Sequence, residues 1–483
     1  MAVERVADSA LPRVRASLGT DSTLVFLGFA LQLLQVGIIP LLPLIAGSLH
    51  LSPVSTSWLV TSSLLAGLVF LAVFSRLADL IGKVPVIQLS LALVFAGSLI
   101  GCFAQGFVPL LVGRILMGAV MPLLALPEAL AADTMPRVRA GVVIAAIHGG
   151  TGTGVAGGFV LGALAGAGNA SWRWFFIVGA VASMVGILAS RRWLKDGDEK
   201  AEGKLEGLGA ALLAIGLSTV LLAVSEGPNW GWGTIQVWGL GLFGIAVLVL
   251  WVAQQSRARY ALVDTRLLFS ERVRIPLAMS LLGSLGIYSS FTALSRFALS
   301  DPHALGYGYG WEPLQIAWFA VPQTIGCVAS FFVVRNLVGR NRPIQALALG
   351  FVIVALAFTF YAILTVDPAL ALAGLLLNSL GISIILALTQ IVLVRSVPSS
   401  QSGIVLGFSI MLYTLGNAIG AAVAAVCFQS FGSTPEAPSL EAFRVLFVFG
   451  GVAALVGLSL CLPLARSRRA DPVPAPVAET SPG

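Results

Sequence analysis

The placement of positive charge constrains this chain more than any other feature. Fourteen long apolar stretches run along its 483 residues, beginning near Leu24, Val54, Val84, Phe107, Gly141, Trp172, Leu208, Ile235, Ile275, Pro313, Pro343, Ala369, Gly403 and Phe443. If both ends of the chain lie on one side of a membrane, every second connection lies there too. On that assignment 24 of the 28 Lys and Arg residues fall in those connections and the two tails, leaving only Arg114, Arg173, Arg296 and Arg444. Cytoplasmic loops collect Lys and Arg, and a shift of one span would invert the count. The pattern predicts a multi-pass inner (plasma) membrane protein with an even number of spans and both termini cytoplasmic.

Composition agrees. The chain is 58% hydrophobic and 10% charged, with a mean hydropathy of +0.96. Each stretch of about 20 residues is enough to cross ~30 Å of hydrocarbon as a helix. Lipid obliges each backbone to satisfy its own hydrogen bonds, so helices are expected throughout. A pI of 9.6 often signals nucleic acid. Here the excess charge sits in short loops, which points to anionic lipid instead. Cys102, Cys327, Cys427 and Cys461 stand singly in apolar spans, a spacing that fits neither a metal site nor a redox pair. No cofactor or metal is expected. The first span is too long for a signal core and no small-residue cleavage site follows it, so it reads as retained.

The plan along the chain is six spans, two, then six. A cytoplasmic tail (1–22) leads to a six-helix bundle (23–194) and a charged, solvated linker (195–206). A two-helix insertion (207–254) follows, its outer loop from Ser225 to Thr234 carrying Trp230 and Trp232. A second basic linker (255–274) opens a C-terminal six-helix bundle (275–465), and a Pro-rich tail (466–483) reads as disordered. The loop Arg76–Pro85 is echoed at Arg335–Pro343, each with Gly, a basic residue and Pro at the entry to the next span. Repeated halves around a central site are the plan of secondary transporters. Glycine is dense from Gly149 through Gly150, Gly152, Gly154, Gly157 and Gly158 to Gly162, which predicts close packing of span 5 on a neighbour. The run lacks the Lys-Ser/Thr of a phosphate loop.

These residues resemble the major facilitator superfamily, and within it the fourteen-span drug:proton antiporter (multidrug efflux) family. Ser75-Arg76-Leu77-Ala78-Asp79-Leu80-Ile81-Gly82-Lys83 is similar to the signature Gly-x-Leu-Ala-Asp-Arg-x-Gly-Arg/Lys, with Ser75 and Leu80 as departures. Arg114 and Gly118 look like the Arg-x-x-x-Gly element of span 4. Gly149, then Gly158-Phe159-Val160-Leu161-Gly162-Ala163, resembles an antiporter signature in which Phe159 stands for Pro. Ser171-Trp172-Arg173-Trp174-Phe175-Phe176 matches the entry to span 6. The resemblance implies an all-α membrane fold of 14 helices, two six-helix bundles with a two-helix insertion between them. It also implies that the loop with Arg76, Asp79, Gly82 and Lys83 latches the two halves together. Asp79 is placed to meet cations or a helix N-terminus there. The acid that the family carries in span 1 is missing from Leu34–Pro43.

Of the 21 acids, Glu128 is the one set clearly inside a span. A charge in hydrocarbon is costly, so Glu128 is expected to face a partner or a watery cavity, as a proton carrier would. The alternative, a Glu near the cytoplasmic end reaching into the loop region, stays open. Asp133 reads as an end-of-span charge. Arg114 lies 14 residues before Glu128; at 100° per residue both fall on roughly one face of span 4, about 21 Å apart, and bracket a cavity. Arg114 is a proton-coupling candidate that either lines the route or relays protons, or else bonds backbone carbonyls. His148 in span 5 can switch charge near neutral pH, and is read either as a titrating partner of Glu128 or as a neutral hydrogen-bonded residue. Gln35, Trp318, Gln323, Asn378, Gln390, Tyr413 and Asn417 are candidates to line a mostly apolar central cavity. Such a lining suits a hydrophobic or amphipathic organic solute rather than a sugar phosphate. The expectation is a secondary transporter exporting such a compound, with the proton as coupling ion. An uncoupled facilitator or importer of the same fold is the nearest rival. A membrane enzyme is disfavoured, because no metal motif and no paired intramembrane acids exist.

Overall fold

The structure, a computed structural model, describes residues 18–167, 171–197, 206–258, 265–339, 342–364, 367–398, 401–434 and 437–470. It contains 14 apolar helices of membrane-spanning length: α1 (Leu18–Leu49), α2 (Ser55–Ile81), α3 (Lys83–Phe103), α4 (Phe107–Thr134), α5 (Arg137–Gly162), α6 (Arg173–Trp193), α7 (Gly207–Gly227), α8 (Ile235–Gln255), α9 (Glu271–Leu299), α10 (Ala320–Val338), α11 (Pro343–Ala362), α12 (Pro368–Val394), α13 (Ser402–Ser430) and α14 (Leu440–Arg466). The protein is thus an all-α, multi-pass membrane protein. One short antiparallel pairing, Gly432–Thr434 with Ala437–Pro438, is the sole β structure among the described residues. The end of the bundle where α1 starts and the even-numbered helices finish is called the basic end below.

Local chemistry sets the boundaries. Ser52 caps the helix that becomes α2, its Oγ accepting from Ser55 N at 3.1 Å, with Pro53 next in line. Asp367 does the same before Pro368, accepting from Ala369 N at 2.8 Å. Several helices depart from the expected limits. α1 is already helical at Leu18, α9 begins at Glu271 and α7 continues as helix to Trp230. The outer loop of the insertion therefore shrinks, and Glu226 is buried in a helix rather than looped out. The expected start of span 10 at Pro313 is corrected. Pro313–Phe319 forms a 3-10 segment, and the α-helix begins only at Ala320, where Pro322 fits the first turn because it needs no N–H there. The terminal tails before residue 18 and beyond 470 lie outside the described residues.

Two apolar cores form. One joins α1–α8 with the first turns of α13, from Ile404 to Met411; the other joins α9–α14 and takes in Ile144 and Ala145 of α5. The halves meet along two seams, α5 against α10 and α2 against α13. The insertion helices α7 and α8 pair with each other, and α7 lies against both α2 and α13. Trp251 of α8 stacks on Phe408 of α13, ring centroids 5.7 Å apart. At the opposite end the entry to α6 is tied down. Trp172 Nε1 donates to Ser48 Oγ at 2.7 Å, and Arg173 stacks on Trp172 and donates to the Ala104 carbonyl.

The glycines of α5 serve two neighbours, not one. Gly150, Gly154, Gly158 and Gly162 face α1; a Cβ at Gly154 would lie 2.3 Å from the Phe29 carbonyl, and one at Gly162 would lie 2.0 Å from Pro40. Gly152 faces α10, where a Cβ would meet Cys327 Cβ at 2.2 Å. Small residues bring backbones this close where lipid offers no hydrophobic drive. Gly154→Ala is expected to lower the unfolding temperature in detergent, since overpacking costs roughly 1–3 kcal/mol. Gly47→Ala, with open space around it, serves as the control and should hold or slightly raise it. Equal melting temperatures for the two variants would contradict this packing.

Candidate functional site

Charged residues gather where α2, α4 and α13 meet at the basic end. Gly82 breaks the chain between α2 and α3 with φ +112°, a conformation that favours glycine. The break turns Asp79 towards α13. Asp79 Oδ1 accepts from Gly403 N and its Oδ2 from Ile404 N, both at 3.1 Å. A carboxylate at a helix N-terminus meets free N–H groups and the positive end of the helix dipole. Lys83 Nζ lies 3.4 Å from Asp79 and 2.5 Å from Asp133. Ser402 Oγ donates to Asp133 Oδ1 at 3.1 Å. Asp79, Lys83 and Arg76 are all buried. Asp133, expected as an ordinary end-of-span charge, is therefore a member of this bridge between the halves. The sequence hint was its position one turn before the end of a span, facing a loop rich in cations.

Glu128 and His148 come together. The carboxylate Oε1 of Glu128 on α4 lies 2.9 Å from His148 Nε2 on α5, and both residues are buried. Every residue from Pro122 to Ala131 is buried, so Glu128 does not reach back to the loop. Arg114 is equally enclosed, and its Nε donates to the Leu59 carbonyl of α2 at 2.9 Å. Arg114 and Glu128 meet different helices, Leu59 of α2 and His148 of α5. A 3-10 turn at Gly118–Val120, followed by Pro122, interrupts α4 between them.

The cavity candidates separate into three groups. Asn378, Gln390 and Asn417 are buried. Asn378 Nδ2 donates to Ser290 Oγ of α9 at 3.1 Å. The amide oxygens of these three residues have no hydrogen-bond partner among the described residues, which makes them groups that a bound solute could satisfy. Gln35, Gln323 and Tyr413 are half-buried. Trp318 is 64% exposed in the 3-10 segment before α10, outside the helix of that span. Two contacts not expected from the sequence bridge the halves. Phe159 of α5 and Phe291 of α9 bring their rings to 5.9 Å, and Cys327 of α10 packs against Gly152 while accepting from Ser383 Oγ at 3.2 Å.

The family profile described as Major Facilitator Superfamily matches residues 24–365 and 277–482. The chain belongs to that superfamily. Relatives it matches are described as MFS-type transporters. Rv1877 of Mycobacterium tuberculosis, described as an uncharacterized MFS-type transporter, is 26% identical over 407 residues, 82% of this chain and 57% of that protein. The chain thus spans little more than half the length of this relative. A Salmonella heidelberg relative named "Putative multidrug resistance protein MdtD" is 26% identical over 447 residues, 90% of this chain and 92% of its own. Among solved structures, the human organic anion transporter MFSD10 shares the fold with a TM-score of 0.65 at 17% identity, covering 92% of this chain and 99% of that one.

In this superfamily member the basic-end bridge has a measurable cost of removal. Lys83→Met strands two buried carboxylates, and breaking one partner of a buried pair costs about 3–5 kcal/mol. A clear drop in unfolding temperature is expected, partly recovered in the double variant Lys83→Met, Asp133→Leu. Strictly additive losses in the double variant would contradict the pairing.

Proposed function

We propose that this transporter exports a hydrophobic or amphipathic organic compound across the inner membrane by proton-coupled alternating access. The basic end, carrying both termini, is cytoplasmic on this reading, since 24 of the 28 Lys and Arg residues lie on that side. The observation that carries the coupling is the buried contact between Glu128 and His148 on adjacent helices of one half. A carboxylate and an imidazole at 2.9 Å can pass one proton between them. A change in which side the pair faces would then move that proton across. The Asp79, Lys83 and Asp133 bridge acts as the latch that closes the cytoplasmic side, so the arrangement seen here is the one in which the cytoplasmic route is shut. Asn378, Gln390 and Asn417, with the half-buried Gln35, Gln323 and Tyr413, supply the few polar groups of an otherwise apolar solute site. The relative named for multidrug resistance supports the same substrate class.

Arg114 serves structure on this reading. Its guanidinium holds α2 to α4 through the Leu59 carbonyl. Anionic lipid is the partner of the basic loops.

The test uses purified protein in liposomes with a pH-sensitive dye inside, and a panel of lipophilic cations and neutral drugs outside. Substrate-triggered proton flux is expected in the wild type and is expected to vanish in Glu128→Gln. Substrate movement without proton flux, unchanged in Glu128→Gln, would make the protein an uncoupled facilitator and remove the role given to the pair.

A further inference from the structure

The chain leaves α6 at Leu194 and turns straight back onto the α2–α3 break. Asp196 Oδ1 accepts from the backbone N–H of Lys83 at 2.6 Å and of Val84 at 2.9 Å, the first two residues of α3. Gly82, which precedes them, has no side chain with which to cap that helix. The capping carboxylate therefore arrives from the far end of the N-terminal half. A Cβ on Gly82 would lie 2.6 Å from Asp196 Oδ2, so the approach of Asp196 also excludes a side chain there. The next residue, Gly197, lies against Asp133; a Cβ on it would sit 3.4 Å from Asp133 Cβ. Two consecutive residues thus touch the backbone of Lys83 and the side chain of Asp133, the partners of the buried ion pair. The segment is held at its other end as well. Glu206 accepts from Gln255 Nε2 at 2.7 Å and from Gln254 Nε2, at the basic end of α8. Asp196 and Glu206, near the two ends of the expected solvated linker, are thus both hydrogen-bonded; residues 198–205 lie outside the described residues.

We propose that Asp196 is a positioning residue of the latch. Its carboxylate holds the α2–α3 turn so that Asp79 meets the N-terminus of α13 and Lys83 meets Asp133. Among the described residues its carboxylate bonds the backbone of Lys83 and Val84, so it acts through the loop it caps. Loss of that carboxylate releases the turn and weakens the latch. The inference rests on the latch reading of the basic-end bridge.

The experiment measures a distance across the basic end. Spin labels are placed at Val138→Cys and Asn336→Cys, both exposed, at the start of α5 and near the end of α10. The four native cysteines are replaced by Ser, and the full chain is reconstituted in nanodiscs. A short, latched distance should dominate the reference distribution. Asp196→Ala is expected to raise the open-to-latched ratio about fivefold, the scale of a carboxylate at a helix N-terminus. Asp196→Glu should stay near the reference and Asp196→Asn should fall between. A plain helix cap would change stability without moving this ratio. If Asp79→Asn opens the basic end and Asp196→Ala does not, the proposal is overturned while the latch stands. If neither opens it, the latch reading fails and the proposal with it. Should Asp196→Ala not fold, the Asp196→Asn ratio decides in the same way.

Discussion

Much of the arrangement hangs on one carboxylate. Asp79 supplies both of its oxygens to the first free N–H groups of α13, and with that contact the first turns of α13 join the core of the N-terminal half. A charge-assisted bond of this kind is stronger than a neutral one, and the helix dipole adds to it near the N-terminus. Away from water the interaction is weakly screened, but it is also demanding. A buried carboxylate that lost its partners would impose its full desolvation cost. Lys83 offsets that cost for Asp79 and Asp133 together. The bridge is therefore a contact that is either complete or expensive, which is the character needed of a joint between two discrete arrangements.

The second seam is built from different material. α5 meets α10 through missing side chains, at Gly141 against Val338 and at Gly152 against Cys327. Such packing depends on shape and tolerates little sliding, because each close approach leaves no room for a displaced atom. On its other face the same helix is seated against α1 at Gly150, Gly154, Gly158 and Gly162. His148 stands on α5 between these two faces, beside Glu128. One member of the pair, His148, is thus carried by a helix that is seated on one side against its own half and in contact with the other half. A shift at the seam acts on the ground where the pair stands.

The membrane fold was legible because it depends on coarse quantities. Span number follows from apolar length, since each crossing needs about 20 apolar residues. The meeting of Asp79 with a helix N-terminus and of Glu128 with His148 was also readable, since each rests on a costly charge that must find a partner. The misreadings came from details below that level. Helical periodicity did not show which helices Arg114 and Glu128 would meet, α2 for one and α5 for the other. Trp318 looked like part of a span because hydropathy does not distinguish a 3-10 entry segment from the helix it leads into. Asp133 looked like an end-of-span charge and Asp196 like part of a solvated linker, because their partners lie far away in sequence. Lys83 is 113 residues from Asp196, and Ser402 is 269 residues from Asp133. No local pattern encodes such pairings.

The position of the insertion joins these observations. α7 and α8 could have been placed anywhere around the bundle by a sequence that only adds two apolar helices. They lie instead against the α2–α13 seam, the one held by charge, and leave the glycine-packed α5–α10 seam to itself. Trp251 stacks on Phe408 only four residues beyond Ile404, whose N–H binds Asp79. Asp196 and Glu206, on either side of the entry to the insertion, are both bonded at the basic end. A seam that opens by breaking ion pairs exposes polar groups that lipid cannot satisfy. Two extra helices over that seam keep lipid from it, so its charges can separate into protein and water rather than into hydrocarbon.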